Sequence, residues 1–324
     1  MKKVLIGIAA IALLGVIGLF GYVYHGWGVY GVNGMLRNGG NLWIDVKRDD
    51  PRLSPAMRLA LRDHIPPVTA GAFAWREVEP GFEVAEVPVV ANGQVVDRLY
   101  LNRVDPARFD FRVGNAPNND HDLKRWQADR SGTVLVINGS YFSRLGQPDT
   151  PVIIDGKPKG PQNYEAHAGA FVATPGAAHV VDLTGRDWHT VLQGANQAMV
   201  SYPLLVGEDG HSHVAVKSRW LANRSFVGED RAGRIIIGQT QEAFFSLDRL
   251  ADFLCAAPLD LKVALNLDGG PIADLGVRLK SYQFTHYGQW EAQGAADGHV
   301  RLLRQPVASV PDAMPMVLMI ERRP

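Results

Sequence analysis

The stretch KVALNLDGGP, residues 262–271, runs through a mainly apolar segment to Leu265 and then turns polar, with Asp268 followed by two glycines. A short apolar run bounded by glycine is typical of a buried strand. Glycine at a strand end permits positive φ or close approach of a ligand to the backbone, so we expect Asp268 to project into a cleft. Because Asp-Gly is also a common hairpin turn, a structural role for Asp268 stays open on this pattern alone.

A second strand end has the same design. TVLVINGSYF, residues 133–142, leads from an apolar run into Asn138, Gly139, Ser140 and Tyr141. Asn-Gly is the other common tight turn, so a hairpin explains this stretch as well. Each of the two stretches places polar side chains where a sheet stops, next to glycine.

Short apolar or alternating runs recur along the chain between turn signals, and they predict strands. The predicted strands are FEVAEVPVV (82–90), RLYLNRV (98–104), FDFRV (109–113), TVLVI (133–137), PVIID (151–155), GAFVAT (169–174), HVAVK (213–217), RIIIG (234–238), VALNL (263–267) and PMVLMI (315–320). Helices are predicted over Ser54–Pro67 and Ser246–Ala257, the second with Ser246 as its cap. We therefore predict an α+β fold, a β-rich mixed-sheet domain with a few helices.

The amino terminus differs from the rest of the chain, because residues 4–24 after MKK carry no charge. About 20 apolar residues are enough to cross a bilayer as a helix, and no convincing cleavage site follows. We predict a transmembrane anchor over residues 1–25, a juxtamembrane connector over 26–69 and one domain over 70–324. Lys2 and Lys3 belong on the cytoplasmic side. This predicts a single-pass membrane protein whose carboxy-terminal domain lies outside the cytoplasm, in the periplasm or at the cell surface.

Composition excludes several classes of function. Lys plus Arg and Asp plus Glu number 33 each, so the net charge is zero and nothing indicates a nucleic-acid partner. The single cysteine, Cys255, excludes an intrachain disulfide and a multi-cysteine metal site. GEDGHSHV, residues 207–214, brings Asp209, His211 and His213 close together, and we interpret it as an exposed hairpin tip, with a metal site as the alternative. No metal or other cofactor is predicted.

Several motifs, taken together and in order, resemble the phosphodiester glycosidase family. They are INGSYF (137–142), TPVIIDGKPKG (150–160), GAFVAT (169–174), SYPLLVGEDG (201–210), NRSFVGEDRAGRIIIG (223–238) and ALNLDGG (264–270). That family includes the enzyme that uncovers mannose 6-phosphate by removing a capping N-acetylglucosamine, together with bacterial extracytoplasmic relatives. The resemblance extends over roughly Trp75–Arg323 and implies a phosphate-linked carbohydrate as the substrate.

The resemblance also implies roles for individual residues. When a phosphate monoester leaves a sugar, it is already a stable anion, so the reaction needs chiefly a carboxylate at the anomeric carbon and a cation on the phosphate. Asp268 and Arg224 are the catalytic candidates for these two tasks, since guanidinium suits bidentate phosphate contact. The substrate-binding candidates are Asn138, Gly139, Tyr141, Glu165, His167, Asn266, Gly269 and Gly270. From the residues alone, Arg224 could instead be a surface arginine paired with Glu229 or Asp230.

The sequence departs from the family pattern at the last motif. Relatives commonly have DGGGSSTL, whereas this chain has DGGPIADL, so that Ile272 and Ala273 replace two hydroxyl residues. An alternative function is therefore a non-catalytic glycan-binding or envelope-assembly protein on the same fold. A third possibility is a metal-dependent phosphodiesterase that uses DGHSH (209–213) together with Asp268. Asp155, in IIDGKPKG, is interpreted more simply as part of a hairpin turn.

Overall fold

The computed structural model describes residues 7–22, 25, 43–118, 120–143, 145–164, 168–303 and 313–323. The strands begin with β1 (Trp43–Lys47), β2 (Val68–Ala70), β3 (Arg76–Glu79), β4 (Phe82–Ala91), β5 (Gln94–Val104) and β6 (Phe109–Asn115). Next come β7 (Thr133–Asn138), β8 (Val152–Ile154), β9 (Lys157–Lys159), β10 (Gly169–Thr174), β11 (Ala177–Asp182) and β12 (Gln197–Ser201). They continue with β13 (Leu204–Val206), β14 (Trp220–Ala222), β15 (Ser225–Asp230), β16 (Ile235–Thr240) and β17 (Leu261–Asn266). The last are β18 (Leu275–Arg278), β19 (Gln283–His286), β20 (Glu291–Gly294), β21 (His299–Leu303) and β22 (Met316–Arg322).

Short helices connect some of these strands. They are α1 (Pro55–Ala60), α2 (Leu123–Ala128), α3 (Trp188–Leu192) and α4 (Leu247–Ala256), and a 3-10 turn lies at Gly270–Ile272. A further helix occupies residues 7–22. The β-rich α+β fold is therefore confirmed.

The strands form four sheets, and every pairing among the described residues is antiparallel. The central sheet has the order β13-β17-β15-β16-β5-β4-β2, with β3 on β4. The β22 sheet has the order β19-β18-β7-β22-β6, and the β12 sheet has the order β11-β10-β12-β8-β9. The amino-terminal sheet has the order β1-β21-β20-β14.

The central sheet is buried on both faces. Ile235 and Ile237 point into the core shared with the β22 and β12 sheets. Ile236, between them, points to the opposite core, where α1, α4 and the amino-terminal sheet pack. Side chains alternate along a strand, so a strand covered on both sides must be apolar at every position. This is why the run RIIIG contains no polar alternation.

Most of the predicted strands are present, but HVAVK (213–217) is not a strand. Val216 is exposed there, and the only pairing nearby among the described residues is an isolated bridge between Ser212 and Val206. The alternating pattern was misleading because no neighbouring strand offers its backbone groups to this segment. The hairpin at Asp155 is confirmed, since Asp155 and Gly156 both have positive φ, +50° and +73°, between β8 and β9.

The predicted helices form over shorter ranges. Ser54 caps α1, because its hydroxyl accepts from the backbone N–H of Met57 at 3.2 Å. The helix ends at Ala60, well before the two prolines that bounded the predicted range. Ser246 lies at the N-cap position of α4 but makes no capping hydrogen bond; its hydroxyl accepts from Arg249 Nε at 2.9 Å instead.

The predicted transmembrane helix over residues 1–25 is not supported, and neither is membrane anchoring through it. Within the described part of the chain, no helix is long and apolar enough to span a membrane. A crossing needs about 20 consecutive apolar residues, and the helical residues described there are 7–22 and 25. Residues 1–6, 23–24 and 26–42 of the predicted anchor and connector lie outside the described residues.

The later part of the predicted connector packs onto the main body of the fold. β1 pairs with β21 over its whole length, from Trp43 opposite Leu303 to Lys47 opposite His299. Met57 of α1 and the nearby Leu53 are 0% and 1% exposed, within the core that covers one face of the central sheet. A domain boundary at residue 70 stays a prediction, and this packing favours a boundary before Trp43.

Candidate active site

The two strand ends singled out in the sequence meet in space. Asp268 follows β17, and its backbone N–H donates to the carbonyl of Gly139 at 3.0 Å. The side-chain amide of Asn138, at the end of β7, donates to the carbonyl of Asp268 at 2.7 Å. The central sheet and the β22 sheet are thus joined where both strands stop. Asn138 acts here by holding the backbone of Asp268.

Neither strand end is a hairpin. β17 belongs to the central sheet, whereas the next strand, β18, pairs with β7 and β19 in the β22 sheet. β7 likewise continues into β8 of the β12 sheet. Asp268 and its glycines therefore cross from one sheet to another, and the hairpin interpretation of both motifs is wrong.

The two glycines after Asp268 are required because other groups of the protein come very close to their backbone. A Cβ on Gly269 would lie 2.9 Å from the carbonyl oxygen of Asn223 and 3.5 Å from Nη1 of Arg224. Gly270 has φ +78°, and a Cβ there would lie 2.9 Å from Oε2 of Glu291. Glycine is thus what lets the carbonyl of Asn223 and the carboxylate of Glu291 approach the backbone next to Asp268.

Arg224 is buried between β14 and β15, at 7% exposure. Its Nη2 donates to the carbonyl of Trp220 at 2.6 Å and its Nε to the carbonyl of Phe245 at 3.3 Å. Nη1, which lies against Gly269, makes no hydrogen bond to a described residue. Two nitrogens thus fix the guanidinium to the backbone, and the third points to the Asp268 loop.

The alternative of a surface arginine is therefore wrong. Its expected partners are engaged elsewhere, Glu229 with Lys262 and Asp230 with Arg234. Burial lowers the pKa of Arg224, and the charges of Tyr141, Glu291 and Asp268 oppose that shift. A buried cation thus lies close to two partly exposed carboxylates, and near a protein surface such charges still interact more strongly than in water.

Tyr141 forms the other side of the site. Its hydroxyl accepts from the amide of Asn266 at 2.9 Å, and its ring stacks on Tyr202 with centroids 4.4 Å apart. The same amide donates to the carbonyl of Tyr202 at 3.2 Å, so Asn266 orients both tyrosines. Burial, followed by the charge of Asp268, raises the pKa of Tyr141 above its usual value. The phenol therefore stays protonated and can donate a hydrogen bond.

The structure describes some of the other sequence candidates and not others. Gly139 has a structural role, because a Cβ there would lie 3.0 Å from the backbone nitrogen of Val317 in β22. Glu165 and His167 lie outside the described residues. The side-chain oxygens of Asn138 and Asn266 are buried and have no hydrogen-bond partner among the described residues. Such acceptors are uncommon in native structures and are often found at functional sites.

Glu291 and Trp220 were missed in the sequence. Both come from the amino-terminal sheet, and the indole N–H of Trp220 donates to Oε1 of Glu291 at 3.2 Å. Nothing in GQWEAQG distinguishes Glu291 from an ordinary exposed carboxylate on a strand. Its place beside Gly270 follows only from the packing of the amino-terminal sheet against the end of β17.

The structure does not support the alternative of a metal site within the described residues. In GEDGHSHV the carboxylate of Asp209 contacts His213 Nε2 at 3.2 Å, at a turn closed by the N–H of Gly210 on the carbonyl of Gly207. Across the described ranges, no group of three or more His, Cys, Asp or Glu side chains could hold a metal ion.

The comparisons with known proteins agree with this fold. The chain is similar over 89% of its length to the zebrafish N-acetylglucosamine-1-phosphodiester alpha-N-acetylglucosaminidase (NAGPA) catalytic domain, auto-inhibited by its pro-peptide, of which 91% is covered. The TM-score is 0.51 and the identity 16%, which supports the fold alone. A hypothetical protein from Synechocystis matches with a TM-score of 0.45 and 14% identity, over 80% of this chain and 64% of that one. No curated protein sequence matches the chain significantly.

A family model also matches the sequence of the chain. The model described as Phosphodiester glycosidase matches residues 131–303, more than half of the chain. That range contains both strand ends, Arg224 and Glu291, which are the groups that the fold brings together. The chain belongs to the phosphodiester glycosidase family.

Proposed function

We propose that the protein is a hydrolase that cleaves a glycosyl 1-phosphodiester bond in a phosphate-linked carbohydrate of an envelope or extracellular glycan. The observation that supports this most is Arg224, whose buried guanidinium turns Nη1 toward the backbone beside Asp268. The reaction needs a cation to hold the phosphate and a carboxylate at the anomeric carbon. Arg224 and Asp268 supply these two groups at the end of β17.

The proposed chemistry breaks the bond between the anomeric carbon and the bridging oxygen. Asp268 either takes a proton from an attacking water or attacks the anomeric carbon itself, after which water releases the sugar. In both cases the phosphate monoester leaves with the bonding electrons. Nη1 of Arg224 stabilises the negative charge on its oxygens. Tyr141, protonated because its pKa is raised, donates a hydrogen bond to a sugar or phosphate oxygen.

The test is hydrolysis of a sugar 1-phosphodiester, such as a nitrophenyl-phosphate-linked sugar, by the purified protein in oxygen-18 water. Attack at the anomeric carbon puts the label in the sugar. Label in the phosphate would instead mean attack at phosphorus and would favour the metal-dependent alternative. Absence of turnover across a panel of sugars would contradict the proposal.

A non-catalytic glycan-binding or envelope-assembly protein is the second candidate function. It is favoured by Ile272 and Ala273, which stand in place of two hydroxyl residues and are 8% and 0% exposed. Ile272 packs into the core, so these positions offer no polar group to a substrate. Binding of a phosphate-linked glycan without any hydrolysis would identify this function.

We also propose that the protein acts outside the cytoplasm. The proposal rests on the proposed substrate, because envelope and extracellular glycans lie outside the cytoplasm. A tag at the carboxy terminus that is cleaved by protease added to intact cells or to spheroplasts supports it. Protection of that tag until the cells are lysed would contradict it.

A further inference from the structure

A second cavity lies on the β12 sheet, beside α3. Its volume is about 550 Å³, within the range of small-molecule sites. The lining includes Trp188 and His189 from α3, the amides of Gln162, Gln193 and Asn196, and the cation of Lys159. None of these side chains takes part in the site around Asp268.

The chemistry of the lining suits a sugar with an anionic linkage. The exposed ring of His189 stacks on the buried ring of Trp188, with centroids 3.6 Å apart, and offers a flat surface. Side-chain amides both donate and accept hydrogen bonds, as sugar hydroxyls do. Gln193, Asn196 and Lys159 are all exposed, so their polar groups are free to meet a ligand. Lys159 supplies a positive charge for a phosphate oxygen.

The cavity lies near the candidate active site, along the β12 sheet. Ala198 and Val200 of β12 pack against the α3 cluster, so they face the cavity side. Tyr202 comes two residues after Val200, just past the end of β12, and is 43% exposed. Pro151, part of the cavity wall, accepts from the N–H of Val200 at 3.0 Å. The cavity therefore begins about two residues from Tyr202, or roughly 7 Å.

Tyr164 lies between the α3 cavity and the candidate active site. It packs against the α3 cluster, and its carbonyl accepts from the indole N–H of Trp188 at 2.9 Å. Burial, and then the neighbouring phenol of Tyr202, raises the pKa of Tyr164 to about 12. Tyr202 stacks on Tyr141 and Tyr164 packs against the α3 cluster, so tyrosines lie both at the candidate active site and beside the cavity.

We propose that the α3 cavity is a subsite for further sugar units of a polymeric, phosphate-linked glycan whose cleaved bond lies at Asp268. The inference rests on the proposed function and narrows its substrate from a single capped sugar to a chain of several units. Lys159 then holds a second phosphate of the same chain.

The experiment compares a short substrate, a sugar 1-(methyl phosphate), with an oligosaccharide of several phosphate-linked units. The double variant Lys159→Ala, Gln193→Ala removes exposed side chains of the cavity, so folding is not at risk. We expect a loss of about tenfold or more in kcat/KM on the oligosaccharide and no change on the short substrate. Lys157→Ala is the matched control, because Lys157 lies on the same hairpin outside the cavity lining.

Equal kcat/KM of the double variant and the wild type on the oligosaccharide would overturn the inference while the proposed function stands. If neither substrate is hydrolysed, the proposed function fails, and a binding measurement then tests the subsite. Calorimetric titration with a non-hydrolysable phosphonate-linked oligosaccharide should then show binding that the double variant weakens about tenfold. Undetectable binding to the wild type, or equal affinity for the double variant, overturns the subsite.

Discussion

Asp268 and Arg224 are each fixed by backbone atoms from other parts of the fold. Asp268 is held by Gly139 and Asn138, and Arg224 by the carbonyls of Trp220 and Phe245. Groups fixed in this way lose little conformational entropy when a substrate binds, so their attraction to it is used for orientation and catalysis. Variants of the two residues are expected to differ, because only Arg224 donates its side chain to buried carbonyls.

Asp268→Asn should lower turnover of a confirmed sugar 1-phosphodiester by about 100- to 10,000-fold, the usual contribution of a catalytic acid or base. The amide oxygen can still accept from the N–H of Gly269, which Asp268 Oδ1 does at 2.8 Å. Stability and KM should therefore change little. Steady-state kinetics measure turnover and KM, and thermal denaturation measures stability. Wild-type turnover in this variant would rule out Asp268 as the catalytic carboxylate.

Arg224→Lys should lower both activity and stability. Lysine keeps the charge but cannot donate to Trp220 and Phe245 while also presenting a nitrogen to the phosphate. We expect kcat/KM to fall by about ten- to over a hundredfold, since a charge-assisted hydrogen bond contributes about 1.5 to 3 kcal/mol. Unfolding should occur at a lower temperature. Arg234→Lys, which changes an arginine paired with Asp230 away from the site, should leave kcat/KM unchanged.

At the scale of elements, the turn after β17 can be tested through two glycines with similar backbone. Gly270 and Gly156 have φ +78° and +73°, so alanine should destabilise the protein by about 1 to 2 kcal/mol at either position. They differ in their surroundings: a Cβ on Gly156 meets nothing within 4 Å, whereas one on Gly270 displaces the carboxylate of Glu291. Gly270→Ala alone should therefore lose activity. Equal activity of the two variants would mean that the position of Glu291 is unimportant.

A buried carboxyl group on β5 makes stability depend on pH. Asp97 is 2% exposed, and burial raises its pKa from 3.8 to about 8, with a smaller contribution from the charge of Glu242. Between pH 4 and pH 8 the unfolded chain is ionised at this position while the folded protein keeps the proton. The stability contribution of Asp97 is thus complete below pH 4 and is lost as the pH rises through 8.

Asp97→Asn should remove this dependence. The difference in unfolding free energy between wild type and variant should change by at most about 1.4 kcal/mol per pH unit between pH 4 and pH 8. The amide oxygen can keep the hydrogen bonds that Oδ1 accepts from the N–H groups of Arg98 and Glu242. Urea denaturation at pH 5, 7 and 9 measures the slope. Asp252→Asn, on an exposed position of α4, is the control, and identical slopes in all three proteins would contradict the assignment.

For the whole molecule, we expect β1 and α1 to determine where a stable domain begins. A chain starting at Trp43 should fold cooperatively, whereas one starting at Pro66 leaves β21 without β1 and removes the buried side chains of Leu53 and Met57. Each such side chain contributes about 1.5 to 3 kcal/mol, out of a typical total of 5 to 15. Thermal unfolding and light scattering compare the two chains. Equal melting temperatures with no aggregation would support the boundary at residue 70.

Much of the local structure could be predicted from sequence. The apolar runs became strands because two-residue alternation and turn residues act within a few positions of the chain. Asp155 with Gly156 formed the expected hairpin for the same reason. Asp268 and Arg224 could be selected as candidates because DGG and NRSFVGED are contiguous motifs. The structure then placed Arg224 against the Asp268 loop.

The partners of the strands, and hence the completed site, depend on tertiary structure. β7 pairs with β22, far along the chain, and Glu291 approaches Gly270 only because β20 joins the amino-terminal sheet. HVAVK has the alternating pattern of a strand but does not form one, because it has no partner strand among the described residues. The sequence alone determined many of the strand segments and the motifs that end two of them, because those signals are local. Which strands pair, and which charges meet there, was decided by packing and hydrogen-bond register between distant segments, which no local pattern encodes.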